Sequence, residues 1–189
     1  MKSLRVLISL AILCSVTSTT SHASVYRNKE YGIFLPIPSG AWLCPVPDDQ
    51  THHGAEFLLG TQDASLCKSS SGKRWISIFA GYNAAEVSKT LHAFLKWQCV
   101  NEANESCGQA PAGLSINGLS TEAARIDHPD GSITIIVVTQ AGKPDANFDA
   151  SVPSINYDLS LHTNASHLDE DLAVFRAVLH TAKIAPRSH

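Results

Sequence analysis

Ser132-Ile133-Thr134-Ile135-Ile136-Val137-Val138-Thr139-Gln140 is the stretch that decides the architecture. It lacks the clean apolar–polar alternation of a strand with one wet side, so it predicts a central strand covered on both faces. Just before it, His128-Pro129-Asp130-Gly131 reads as a tight turn, and Leu119 to Asp127 as the strand that enters that turn. Just after it, Ala141 to Val152 carries Gly142 and Pro144 and reads as a loop. Beyond the loop, Ile155, Tyr157, Leu159 and Leu161 alternate with Asn156, Asp158, Ser160 and His162. That period of two predicts a half-buried strand with one polar face.

Further out, Arg74 to Tyr82 (RWISIFAGY) is β-branched and aromatic and predicts another strand. A helix follows, with Asn83 as N-cap, Glu86 completing a capping-box-like pair, and Val87, Leu91, Phe94 and Leu95 as one buried stripe ending near Cys99. A second helix is predicted late in the chain, capped by Ser166. Asp169, Glu170 and Asp171 favour its start, and Leu168, Leu172, Phe175, Leu179 and Ala182 form its stripe. Towards the N-terminus, Tyr31 to Ile37 and Ala41 to Cys44 flank Pro38-Ser39-Gly40 and predict an edge hairpin, and Ala55 to Leu59 a short strand. Residues 45–54, 61–73 and 100–113 read as polar loops. The expectation is an α+β fold, an antiparallel sheet of about five to seven strands with two packed helices and disulfide-stapled loops.

Composition sets the outer bounds. The 189 residues are 44% hydrophobic and 16% charged, too apolar for a disordered chain. A formal charge of -3 gives no basic face for nucleic acid. No apolar run reaches the roughly 18 residues of a membrane span. Residues 1–23 read as a secretory signal: Lys2 and Arg5 lead, Val6 to Val16 is the apolar region, and Ser21 and Ala23 place cleavage after Ala23. Cys14 leaves with the signal. The remaining chain, 24–189, fits one α+β domain. It holds 12 Lys and Arg against 17 Asp and Glu, a charge of -5.

The other four cysteines, Cys44, Cys67, Cys99 and Cys107, are an even set in a chain read as exported, which predicts two disulfides. Of the three pairings, Cys44–Cys67 and Cys99–Cys107 are preferred because each closes a local polar loop. Their spacing does not match the short hairpins that present thiolates to zinc.

The opening Tyr31-Gly32-Ile33-Phe34-Leu35-Pro36-Ile37-Pro38-Ser39-Gly40-Ala41-Trp42, the Ile116-Asn117-Gly118-Leu119 turn before a strand, and the strand-then-helix from Tyr157 to His180 resemble the PsbP/DcrB-like superfamily. The match is one of element order over most of the chain. It departs at Ala41, which separates the glycine from the tryptophan, and in the four cysteines. The resemblance implies an α+β scaffold whose members include photosystem accessory subunits, envelope lipoproteins and chaperones of secreted effectors. Such proteins mostly bind rather than catalyse, which implies a binding role here.

Chemistry-bearing motifs are sparse. His52-His53-Gly54-Ala55-Glu56 places His52 and Glu56 four apart, but Gly54 and the nearby prolines favour loop and strand, where such positions lie about 13 Å apart. The segment does not match a zinc-protease helix, and no metal or cofactor is assigned. No G-x-S-x-G elbow and no phosphate-cradling loop occurs, so no catalytic residue is assigned. Trp97 falls off the centre of the first helix's stripe, beside His92 and Lys96, and is expected to be partly exposed. Trp97, His52, His53 and Glu56 are the candidate interface residues. The expected function is an exported, periplasmic or secreted, non-enzymatic protein-binding module, an inhibitor, immunity protein or envelope accessory factor. Its partner would be another envelope or secreted protein. A small-ligand carrier with a pocket between the first helix and the sheet, or a Ser/His hydrolase, stand as alternatives.

Overall fold

A computed structural model describes residues 24–44, 53–61, 63–68, 73–83, 88–103, 107–142, 153 and 155–185. The predicted signal, with Cys14, lies outside them, as do His52 and most of the 45–54 loop. The chain runs β1 (Val25–Asn28), β2 (Ile33–Pro36), β3 (Trp42–Cys44), β4 (Gly54–Leu58), a short 3-10 helix (Ala64–Lys68) and β5 (Trp75–Tyr82). Then come α1 (Leu91–Ala103), β6 (Gly108–Gln109), β7 (Glu122–Asp127), β8 (Ser132–Ala141), β9 (Ile155–Asn164), α2 (Leu168–Thr181) and β10 (Lys183–Ile184). Every pairing is antiparallel. One sheet has seven strands in the order β3-β4-β5-β9-β8-β7-β6, and a second has three in the order β1-β2-β10. The α+β class, the two helices and both disulfides, Cys44–Cys67 and Cys99–Cys107, are as the sequence implied.

β8 sits between β9 and β7, and Ile133 to Thr139 are all buried. Its Ile133, Ile135 and Val137 join the main core, while Ile136 and Val138 pack with Phe94, Leu95 and Cys99 of α1. Helices on opposite faces cover this strand, which is why its sequence shows no wet side. The hairpin from β7 closes at His128–Ser132, with Gly131 at φ 83° in the left-handed region that glycine enters without strain.

Several local expectations are corrected. Residues 31–37 and 41–44 do not form a hairpin. β2 pairs with β1 and β10, whereas β3 joins the large sheet beside β4. Pro36 and Pro38 have no N–H to continue a ladder, so the turn hands the chain from one sheet to the other. β1, β6 and β10 are too short, or too polar, to have shown a period. Asn83 does not cap α1. Its Nδ2 instead donates to the Ser88 carbonyl at 2.9 Å, and Thr90 Oγ1 accepts the Ala93 N–H at 3.1 Å. Glu86 and Val87 lie outside the described residues. Nor does Ser166 cap α2, because its hydroxyl donates to Asn164 Oδ1 at 2.6 Å, leaving His167 as the cap residue with no side-chain bond to the helix's first N–H groups. Asp169, Glu170 and Asp171 do lie in the first turn of α2, as the sequence implied, and Asp171 has a further role there. It is 2% exposed, pairs with Arg74 at 2.9 Å and accepts from the Thr163 hydroxyl at 2.5 Å. Among the described residues no helix is long and apolar enough to cross a membrane.

Candidate functional site

Antiparallel register places side chains of neighbouring strands in rows, and alternate residues fall on opposite faces. In the large sheet, Ile76, Ile78 and Ala80 of β5 share one face with Tyr157, Leu159 and Leu161 of β9. The opposite face carries the polar partners of that alternation. Trp75, His162 and Thr134 form one row, and Phe79, Asp158 and Val138 another, with Gly81, Asn156 and Gln140 at the end. α1 covers part of this second face, above β7 and β8. Among the described residues two hollows open along it.

The first, of about 360 Å³, lies between α1 and the β5–β9 strands. Phe79 and Trp97 line it with rings from this face, and Asn156 and Asp158 of β9 contribute polar atoms. Tyr82, which alternates onto the Ile78 and Ala80 side and packs on Tyr31 with ring centroids 5.3 Å apart, borders its end. Tyr82 is 50% exposed and Trp97 45%. Trp97 lies against Phe94, with ring centroids 6.2 Å apart and planes at 20°. The helix turn bearing Trp97 is held by the neighbouring Cys99–Cys107 disulfide, with Cys99 buried on the sheet. Gln98 Nε2 donates to Asp158 Oδ2 at 2.9 Å, tying helix to strand. His53 lines the hollow and packs edge-on against Tyr31, 4.8 Å between centroids. Behind it, Tyr31 and Tyr157 are fully buried, and burial pushes both phenol pKa values up, beyond the ordinary tyrosine range. The Tyr157 hydroxyl donates to the Tyr31 carbonyl at 2.8 Å.

The second hollow, of about 460 Å³, opens at the other end of the face, lined by Trp75, His162 and the His128–Ser132 turn. The Trp75 and His162 rings stack at 4.1 Å. Thr134 Oγ1 sits 2.8 Å from His128 Nε2 and 2.9 Å from His162 Nδ1, so one hydroxyl bridges two imidazoles. Burial, with smaller effects from His128 and Lys73, lowers the His162 pKa to about 4, so this ring is neutral at pH 7. Asp130 is held below the usual carboxylate range by the hydroxyl and N–H of Ser132.

Among the described lining residues, the second hollow holds one hydroxyl, that of Ser132, which donates to Asp130 Oδ1 at 2.6 Å, and the first holds only the Tyr82 phenol. Thr134 is 1% exposed, so its hydroxyl cannot reach a substrate. Ser166 Oγ and His167 Nδ1 lie 3.0 Å apart on an exposed turn, but neither lines a hollow and the serine proton goes to Asn164. Among the described residues no three His, Cys, Asp or Glu cluster as metal ligands.

Of the residues singled out in the sequence, Trp97 and His53 meet at the first hollow. Glu56 lies apart on β4, paired with Lys73 at 3.3 Å, and His52 falls outside the described residues. Tyr82, Asn83, Gln98, Asp158, His128 and His162 were not picked out as site residues. The polar side of the β9 alternation was the signal that could have found Asp158 and His162. No model of a known protein family matches the chain, and no curated protein does.

Proposed function

We propose that this chain is an exported, non-catalytic protein-binding module of the inhibitor, immunity or envelope-accessory kind, and that the hollow between α1 and β5–β9 is its recognition surface. The observation that carries this reading is the pair Tyr82 and Trp97, each about half exposed at the mouth of that hollow. Exposed tryptophan and tyrosine beside a cleft are the side chains most often found anchoring interfaces. Their support is stiff, because Cys99 staples α1 two residues beyond Trp97. A pre-ordered surface loses less side-chain entropy on association.

Export is proposed on two grounds: the signal-like first 23 residues, and two disulfides of a kind that persists in oxidising compartments. The PsbP/DcrB-like resemblance points towards binding as well. A second reading, a small-ligand carrier, is favoured by the volume of about 360 Å³, which falls in the range of ligand pockets.

Affinity capture tests the first reading. The protein is immobilised, exposed to envelope extract and to secreted proteins of its source, and the retained proteins are identified by mass spectrometry. A partner retained by the native protein but lost with Trp97→Ala or Tyr82→Ala supports it. Retention indifferent to both substitutions removes the hollow from the interface. A co-purifying small molecule released on denaturation would favour the carrier.

A further inference from the structure

The outward face of the three-stranded sheet carries positive charge that its own carboxylates do not neutralise. Register sets Arg27 of β1, Phe34 of β2 and Lys183 of β10 in one row across it. The Arg27 guanidinium carbon lies 4.9 Å from the Phe34 ring centroid, and the Lys183 ammonium 5.8 Å. Both cations are exposed, and neither forms an ion pair among the described residues. Elsewhere Lys73, Arg74 and Arg125 each meet a carboxylate within 3.3 Å. A ring attracts a cation without cancelling its charge, so the N–H donors stay available to an anion. Lys29 adds an exposed charge in the turn after β1, against one acidic residue, Glu30, between positions 24 and 37. Residues 24–189 as a whole hold 12 Lys and Arg against 17 Asp and Glu, so this face reverses the sign of the chain.

The same place has an open backbone. β1 ends the order β1-β2-β10, and among the described residues no strand lies along its outer side. The Ile37 N–H donates to the Ser24 carbonyl at 2.8 Å. Antiparallel alternation therefore turns the backbone groups of Ser24, Tyr26 and Asn28 towards β2, and those of Val25 and Arg27 towards the free edge. An unpaired edge is a template for an added strand, whose main chain supplies affinity while its side chains meet the neighbouring row. Charge then selects the strand. A second copy of β1 would bring another Arg27 to the edge, and like charges opposed across strands are destabilising. An anionic bilayer brings no backbone to the edge and meets a chain of net negative charge. A strand bearing carboxylates satisfies both the edge and Arg27.

We propose that the β1 edge receives an extended acidic segment of a partner protein, which adds as a strand beside Val25 and Arg27 and sets a carboxylate on the Arg27 guanidinium. Lys183 and Lys29 act through their field rather than by contact. This rests on the protein-binding reading above and gives it a second surface, on the small sheet rather than at Trp97.

The test uses the protein recovered from the periplasm of an expression host and isotope-labelled for NMR. It is titrated with three capped hexapeptides in which threonine alternates with glutamate, glutamine or lysine, and separately with phosphatidylglycerol vesicles. Saturable shifts of the Val25 and Arg27 amides are expected with the glutamate peptide, at least about tenfold tighter than with the glutamine peptide, and none with lysine. The same two amides should exchange with solvent more slowly in the complex. Arg27→Gln, at an exposed position, should weaken the glutamate peptide by about fivefold, and raised salt should weaken it as well. Glutamine binding as tightly as glutamate, or no saturable shift with glutamate up to about 10 mM, overturns the proposal. So does affinity unmoved by Arg27→Gln, or a shift at Lys183 that leaves the Val25 and Arg27 amides unprotected. Vesicle binding without peptide binding would assign the charge to a lipid surface, and dimerisation that protects the same two amides would assign the edge to a second copy; either overturns the acidic strand. Capture through the hollow is scored with Trp97→Ala and Tyr82→Ala, so its success or failure is read apart from each of these results.

Discussion

The two faces of the seven-stranded sheet are built from the same strands and do opposite things. On one, β5, β8 and β9 offer Ile76, Ile78, Ile135, Val137, Leu159 and Leu161, each 0% exposed. That face is closed by α2 through Leu172, Phe175, Val178 and Leu179, and by Tyr31, Ile33 and Leu35 of the N-terminal segment. On the other, only the β7–β8 half is dry, where Phe94, Leu95 and Cys99 of α1 meet Ala124, Ile126, Ile136 and Val138. The β5–β9 half keeps Asp158, Asn156, His162 and Trp75 around two hollows. The difference separates two tasks. Burial on the first face holds the fold, and the incomplete cover of the second leaves aromatic and polar groups to meet a partner.

The largest expected effect breaks the dry face. Phe175→Ala removes a fully buried ring from between α2 and the sheet, and should cost about 3–5 kcal/mol, measured as a fall in the denaturant midpoint. Asp171→Ala should cost a similar amount, roughly 3–5 kcal/mol, because Arg74, only 16% exposed, would lose its close partner while Thr163 loses its acceptor. A loss below about 1 kcal/mol in both would mean that α2 is not the element that seals this face.

On the second face, the disulfide at α1 comes next. Replacing Cys99 and Cys107 together by serine frees a loop of 8 residues' separation and should cost roughly 2.6 kcal/mol by the chain-entropy model. It should also weaken any partner that depends on Trp97, since the same staple fixes that turn. Unchanged stability in the oxidised wild type and the double variant would show that α1 is held by Phe94 and Leu95 alone.

His162 gives a smaller effect that depends on pH. Its native pKa is lowered to about 4, against 6.5 for an unperturbed ring. Between those values the unfolded chain binds a proton that the native one refuses. Stability from this residue is therefore complete above about pH 6.5, declines as pH falls to about 4, and levels off below, with a slope of at most about 1.4 kcal/mol per pH unit. Melting temperatures of wild type and His162→Gln across this window measure it. The wild-type curve should be the steeper, and parallel curves would remove His162 from the account.

What the sequence made legible followed the same division. The strands and stripes that feed the dry face announce themselves through apolar period: the 155–162 alternation, Arg74 to Tyr82, and the Leu172, Phe175 and Leu179 stripe all fall where they were read. The pairing partners of β2 were not legible, because proline ends a ladder without saying which strand lies beside it. The caps at Thr90 and His167 were missed because Asn83 and Ser166, good cap residues by type, spend their side chains on Ser88 and Asn164. Trp97 was reachable from its offset on the helix. Asp158 and His162 were visible as the wet side of a strand, but their neighbours across the sheet were not, since register is a property of two strands rather than one.

The smallest effect on stability should come from the residue on which recognition leans most. Trp97 is 45% exposed and makes one ring contact, to Phe94 at 6.2 Å, among those described. Trp97→Ala should therefore move the unfolding midpoint little, by about 0.5–1 kcal/mol, while abolishing partner capture. Phe94, one helical turn away and 4% exposed, makes the contrast sharp: Phe94→Ala should cost about 3–5 kcal/mol. The two residues stack on each other, yet one belongs to the seal and the other to the opening. If Trp97→Ala destabilises the protein as much as Phe94→Ala, the tryptophan is part of the seal. The second face would then have no aromatic anchor on α1 to offer, and the asymmetry between the two faces would be one of polarity alone.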